Sequence, residues 1–195
     1  LGGDLLSLTN IPFILKNLTF SVYLLLFILS ILLLGQILVS SVKKFSSAHL
    51  EKFAIIGLIT VGAIVICGII IDQVGISNSN ENDIDAALNV DTLNYIITAI
   101  AAVIFAPVTE ELFFRFLVYR SIEKVNPILS HVCVALLFGF FHVWGYVLID
   151  GEYIQLVNML PYIAMSLGFS ILYQKCKNIC FPIILHAIIN FIAVS

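Results

Sequence analysis

Charge is what this chain has least of. Lys, Arg, Asp and Glu make up 11% of its 195 residues, where a soluble globular domain carries about 25%. With 61% hydrophobic residues and a mean hydropathy of +1.12, a water-exposed domain is the wrong class. No Lys/Arg run and no Gly-rich phosphate loop occurs, so nucleic acid and nucleotide phosphates are not expected partners. The four cysteines, Cys67, Cys133, Cys176 and Cys180, are scattered. They make no disulfide framework, and Cys-x-x-x-Cys at 176–180 is not a zinc spacing; they read as small apolar fillers. His-Glu-x-x-His, a Gly-xxx-Gly face, internal repeats and low-complexity tracts are all missing.

What is present is apolar length. Six stretches approach the roughly 20 residues that cross a bilayer: Leu18–Val42, Phe53–Ile76, Leu93–Val118, Ile128–Ile149, Ile154–Tyr173 and a shorter Ile179–Ala193. The fold class this predicts is all-α, a polytopic membrane bundle of about six transmembrane helices. An N-terminal extension, 1–17, precedes one membrane domain, 18–195, with two N-terminal spans (18–76) and four later ones (93–195). The first span is too long for a signal-peptide core and lacks a small-residue cleavage pattern, so it reads as retained. Because the chain begins at Leu1 rather than Met, a piece of a longer or processed protein is expected, and a further upstream span stays open. Ser77–Asp83, polar and without aromatics, reads as an external, mobile loop.

The few charges are sorted by side. Lys43, Lys44 and Lys52, then Arg120 and Lys124, then Lys175 and Lys177 occupy alternate connections. The other connections carry Glu81, Asp83, Asp85, Asp91, Asp150 and Glu152 and no basic residue. The positive-inside rule puts the Lys-rich turns in the cytoplasm and both termini outside. Lys16 alone is on the wrong side.

Three ionisable residues lie inside a span: Glu110, Glu111 and Arg115, in Ala106-Pro107-Val108-Thr109-Glu110-Glu111-Leu112-Phe113-Phe114-Arg115. Such groups are costly in lipid, and therefore rare and usually functional. Glu111 and Arg115 stand one helical turn apart, an ion-pair spacing. Glu110 projects about 140° away from Arg115 and needs another partner. Pro107 removes a backbone N–H and leaves a carbonyl in want of water or a polar neighbour; that fits either a wet cavity or a structural kink.

Two later spans carry His142, and His186 with Asn190 one turn beyond. A lone histidine on an apolar helix is most often a packing residue, but ionisable groups on three membrane helices are expected to face one another. Depth permits it. From Lys124 back to Glu110 and from Pro127 on to His142 are both about 21–22 Å of helix. His186 is only about 12 Å beyond Asn178, so the last span must start deeper. Other polar residues take plainer readings: His49 solvated, Asp72 at a span end, His131 interfacial, Gln155 and Asn158 satisfied within the bundle, Trp144 and Tyr146 in an aromatic belt.

Glu-Glu-x-x-x-Arg at 110–115, Phe-x-x-x-His at 138–142 and His-x-x-x-Asn at 186–190, in that order on separate spans, resemble the CAAX-protease and bacteriocin-processing family, whose best-known members are type II prenyl-protein endopeptidases. The resemblance covers roughly residues 93–192. It implies an intramembrane endopeptidase of glutamic type. By the same resemblance, Glu110 is the general base, His142 its partner in holding and deprotonating water, His186 and Asn190 oxyanion donors, and Glu111 with Arg115 a supporting pair. The physical requirements agree: peptide hydrolysis needs a base, a held water and donors aimed at the developing oxyanion.

Other readings remain. Glu110, His142 and His186 offer the ligand types of a catalytic zinc site, against a metal-free, cofactor-free mechanism. An immunity or scaffold protein would keep the fold without the chemistry. A proton-coupled transporter would also use intramembrane carboxylates, but it would show repeat symmetry. The expected partners are the lipid bilayer and a membrane-associated peptide or protein substrate, with no nucleic acid. The expected location is the cell membrane, with the small size favouring a bacterial plasma membrane.

Overall fold

Each apolar run becomes a helix, because backbone inside a bilayer has to satisfy its own N–H and C=O groups. A computed structural model describes residues 18–195; the extension read over 1–17, with Lys16, lies outside the described residues. Seven helices follow one another: α1 (Leu18–Lys43), α2 (Leu50–Val74), α3 (Ser79–Leu88), α4 (Thr92–Glu123), α5 (Pro127–Leu148), α6 (Met159–Cys176) and α7 (Cys180–Val194). Short 3-10 turns, Ser47–His49 and Tyr153–Asn158, lead into α2 and α6. Among the described residues there is no strand. Five helices, α1, α2, α4, α5 and α6 with their leading turns, are long and apolar enough to span a membrane. The sixth apolar helix, α7, has 15 residues, about 22 Å.

Local signals set the ends. Asn126 accepts from the N–H groups of Ile128 and Leu129 with Pro127 at the first helical position of α5, an N-terminus built from a cap and a residue that lacks the orphan donor. Asp91 caps α4 through Asn94 N–H. Between α6 and α7, Lys177 turns left-handed at φ 50°. There Asn178 is buried, its side chain donating to the Ser41 carbonyl and accepting from Cys180 N–H. The last helix therefore begins inside protein rather than at the surface, which supplies the depth that His186 needs.

Helix α6 is the hub, packed against both α5 and α2. Two glycines permit the approach. A Cβ on Gly139 of α5 would lie 2.9 Å from Ile163 Cγ1 and 3.2 Å from the Met159 carbonyl. A Cβ on Gly168 of α6 would overlap the Thr60 side chain of α2. Phe114, Phe138, Phe169, Phe181, Leu172 and Val134 fill the core between them. Helix α1 is peripheral and meets α4 through Phe20 and Phe27, both against Phe105. The exposed Leu, Ile, Val and Phe side chains of α1, α2 and α5 form the lipid-facing surface.

The segment read as a mobile loop is different in the structure. Asn78 accepts from Glu81 N–H and starts helix α3 at Ser79. The chain just before it is bound to the α6 entrance: the Ser77 carbonyl accepts from Gln155 and Asn158, and Ser79 N–H donates to Gln155. The cap pair Asn78 and Glu81 lies within the segment itself, but the partners that order it, Gln155 and Asn158, are distant in sequence and absent from any local window. His49 also departs from its solvated reading; it is half-buried with its ring edge-on to Phe181 at 5.6 Å.

Candidate functional site

The site is built around a change of helical register in α4. From Ala101 to Phe105 the helix is π-type, and Ala106 N–H bonds to the Ala101 carbonyl five residues back. Continued in that register, the next donor would be residue 107, which is proline and has none. The Ala102 carbonyl is left over, and Asn190 of α7 donates its side-chain N–H to it at 2.8 Å. The carbonyl that Pro107 strands thus has its polar neighbour, on the helix that also carries His186. A second π stretch, Leu112–Tyr119, follows Glu111; wide turns of this kind recur at functional sites.

Between the two π stretches sit the carboxylates. Glu111 and Arg115 are both 0% exposed and joined at 2.8 Å (Nε to Oε2) and 3.4 Å (Nη2 to Oε1). Arg115 also donates to Ser166 Oγ at 3.0 Å, and its guanidinium lies over the rings of Phe138 and Phe169. His186, 2% exposed, points Nδ1 at Glu111 Oε1 at 3.2 Å. Its Nε2 faces Glu110 Oε2 at 3.9 Å, too long for a hydrogen bond. Glu110 is 5% exposed, and its Oε2 is buried without a hydrogen-bond partner. One carboxylate is fully committed to cations and donors; the other presents a free oxygen toward an imidazole.

His142 lies farther out along α5. Its Nδ1 bonds to the Phe138 carbonyl at 2.8 Å. A carbonyl only accepts, so Nδ1 carries the proton and Nε2 is the free nitrogen of the neutral ring. His142 has neither a hydrogen bond nor an ion pair to Glu110; the Phe138 ring packs against both histidines, 4.6 Å from His142 and 5.9 Å from His186.

The structure therefore brings Glu110, Glu111, Arg115 and His186 into one buried cluster, with Asn190 on the adjoining carbonyl and His142 one ring away. His131, read as interfacial, stays apart, bonded to Ser170 and Tyr119. Asn158 donates to Gln155 Oε1 at 2.6 Å, while its own Oδ1 is buried without a hydrogen-bond partner, so the pair read as satisfied within the bundle is satisfied only in part. Tyr146, read as part of an aromatic belt, donates its hydroxyl to Asp83. Two contributors escaped sequence reasoning. Ser166 holds Arg115, and Tyr162 stacks on His142 at 4.1 Å and 14°. Tyr162, Ser166 and Ser170 recur every fourth residue on α6, a polar stripe on an apolar helix that would have marked the face turned inward. Among the described residues, no group of three or more His, Cys, Asp or Glu side chains is arranged to hold a metal.

Compared with known families, the chain matches the one described as type II CAAX prenyl endopeptidase Rce1-like, over residues 92–192. That range begins at α4 and takes in every site residue named above. No curated protein and no solved structure matches the chain.

Proposed function

The chain belongs to the Rce1-like type II CAAX prenyl endopeptidase family, a family of membrane proteases, and from that premise we propose that it hydrolyses a peptide bond of a membrane-associated substrate with a water activated by Glu110. One observation carries this reading: Glu110 Oε2 is buried, unpartnered and turned toward His186 Nε2 at 3.9 Å, while Glu111 is already bound by Arg115 and His186. A polar gap of that length suits a bridging water.

The water donates to Glu110 and gives it a proton as the oxygen attacks the scissile carbonyl carbon. The carbonyl π pair moves to oxygen. In the doubly protonated ring of His186, with Nδ1–H held by Glu111 Oε1, Nε2–H donates to the oxyanion together with the second N–H of the Asn190 amide; one N–H of that amide is already held by the Ala102 carbonyl, so the other is oriented in advance. His142 offers Nε2 as a second acceptor for the water. Glu110 returns the proton to the leaving amine as the C–N bond breaks. Glu111 and Arg115 hold His186 in place and take no proton. The mechanism needs no metal.

The substrate class follows the family: the tail of a prenylated or otherwise membrane-anchored peptide, or a peptide matured at a bacterial plasma membrane, approached from the cytoplasmic side. The test is cleavage of an internally quenched, farnesylated CAAX-type peptide in vesicles by wild type and Glu110→Gln. The variant is expected to fold and bind peptide but not cleave. Wild-type turnover in Glu110→Gln would end the general-base assignment.

A further inference from the structure

His142 is oriented by two contacts of different kinds. The Phe138 carbonyl fixes one nitrogen at 2.8 Å. The near-parallel Tyr162 ring, 4.1 Å away at 14°, fixes the plane. Together they leave the imidazole one direction in which to present Nε2.

Tyr162 is itself restrained from outside the bundle. It is 7% exposed, and its hydroxyl accepts from Asn80 at 3.0 Å and from Asn78 at 3.4 Å. Asn78 is the residue that caps α3, so the same side chain starts the helix and reaches Tyr162. A second tie, from Tyr146 to Asp83, joins α3 to α5 one turn beyond His142. Helix α3 thus grips both helices that meet at this histidine. Asn78, Asn80 and Asp83 all precede residue 92, where the family match begins, so they were not among the site residues that the family brings with it.

We propose that Tyr162 is a positioning residue for His142, and that helix α3, through Asn78 and Asn80, is its anchor and so belongs to the active centre. The inference rests on the protease reading for its consequence in rate, though not for the coupling itself. Tyr162 touches no reacting atom; it acts by restricting the imidazole. Stacking alone would make Tyr162 an ordinary packing ring, indifferent to loss of its hydroxyl. The two asparagines make the hydroxyl matter, because a ring tethered at one edge cannot slide along the face of its partner.

Two measurements separate this from a packing role. In the first, the full chain carries ¹⁵N,¹³C-labelled histidine in micelles, with His142 assigned through His142→Gln. Tyr162→Phe and the Asn78→Ala/Asn80→Ala pair should each shift the His142 ring resonances and leave His131 unmoved. In the second, the farnesylated quenched peptide is cleaved in vesicles. Tyr162→Phe and the asparagine pair should each lower kcat about tenfold with KM unchanged, and Tyr162→Leu about 10²-fold, the scale of a slightly misplaced catalytic group. Combining Tyr162→Phe with the asparagine pair should add nothing further, since both cut the same contact. Unchanged His142 resonances in Tyr162→Phe and in the asparagine pair overturn the proposal, as does wild-type kcat in both. If wild type fails to cleave, or cleaves without Glu110, the protease reading falls, and the resonances still decide the coupling. Tyr162→Phe keeps the ring's volume, so its folding does not depend on the larger Leu change.

Discussion

At the scale of single residues, the two adjacent glutamates show how one residue type takes two roles. Glu111 is saturated by Arg115 and His186, and removing Glu111 or Arg115 strips the other of its buried ion-pair partner. Glu111→Ala or Arg115→Ala should therefore cost about 3–5 kcal/mol of stability as well as activity, measured as thermal unfolding in detergent. Equal Tm values for both variants and wild type would contradict the burial described. Glu110 is different: its Oε2 makes no hydrogen bond and meets His186 Nε2 only at 3.9 Å, so Glu110→Gln should leave Tm close to wild type while cleavage stops. Asn190→Ala should lower kcat about 10²–10³-fold, the usual worth of one oxyanion donor, with KM little changed; weaker binding at unchanged turnover would make Asn190 a substrate contact instead. Exhaustive chelation should leave turnover intact. Stoichiometric zinc whose removal and return switch activity off and on would replace the general-base mechanism with a metal-bound water.

At the scale of helices, Pro107 and Asn190 form a coupled device. The proline withholds the N–H that the Ala102 carbonyl would otherwise accept in the π register, and the asparagine of α7 provides a substitute. Pro107→Ala restores a backbone donor beside Asn190, so the stability cost of Asn190→Ala should shrink when Pro107 is also replaced. A double-mutant cycle on Tm reads this directly; strictly additive costs would mean the two residues act independently. The close helix approaches make a second prediction. A methyl group at Gly168 meets Thr60 of α2, and Gly168→Ala should destabilise by about 1–3 kcal/mol, as overpacking does. Gly62, on the other hand, has open space around it, and Gly62→Ala is the control expected to behave as wild type.

At the scale of the molecule, this is a multi-pass membrane protein whose two ends differ in charge and in wiring. At the basic end Lys177 pairs with Glu123 at 2.9 Å, Asn178 holds the end of α1, and Phe45, His49 and Phe53 gather on Phe181. At the acidic end α3 is bolted to α5 and α6. From the bias of basic residues we propose that the first of these ends faces the cytoplasm. Cysteine introduced at Lys175 should be labelled only from the cytoplasmic side, and at Asp150 only from the opposite side. Labelling of Lys175→Cys from outside would reverse the topology and with it the side from which substrate enters.

Legible in the sequence alone were the class, the approximate place of the apolar helices, though five rather than six are long enough to span, and the separation of Glu110 from the Glu111–Arg115 pair. Those depend on quantities local to the chain: apolar length against bilayer thickness, and the angle between neighbours on a helix. The ordered motifs on three spans also sufficed to point to the family. What only the tertiary structure decided is where each polar atom is aimed. That His186 bonds Glu111 and faces Glu110, that Asn190 answers Pro107, and that Tyr162 lies on His142 are contacts between helices distant in sequence. The polar segment 77–83 reads as a loop for the same reason, since the groups that hold it, Tyr146, Gln155, Asn158 and Tyr162, lie more than 60 residues downstream. In a bilayer the apolar pattern that guides a soluble fold is nearly uniform around each helix, so facing is set by a few polar contacts and close glycine approaches, and these exist only once the helices have met.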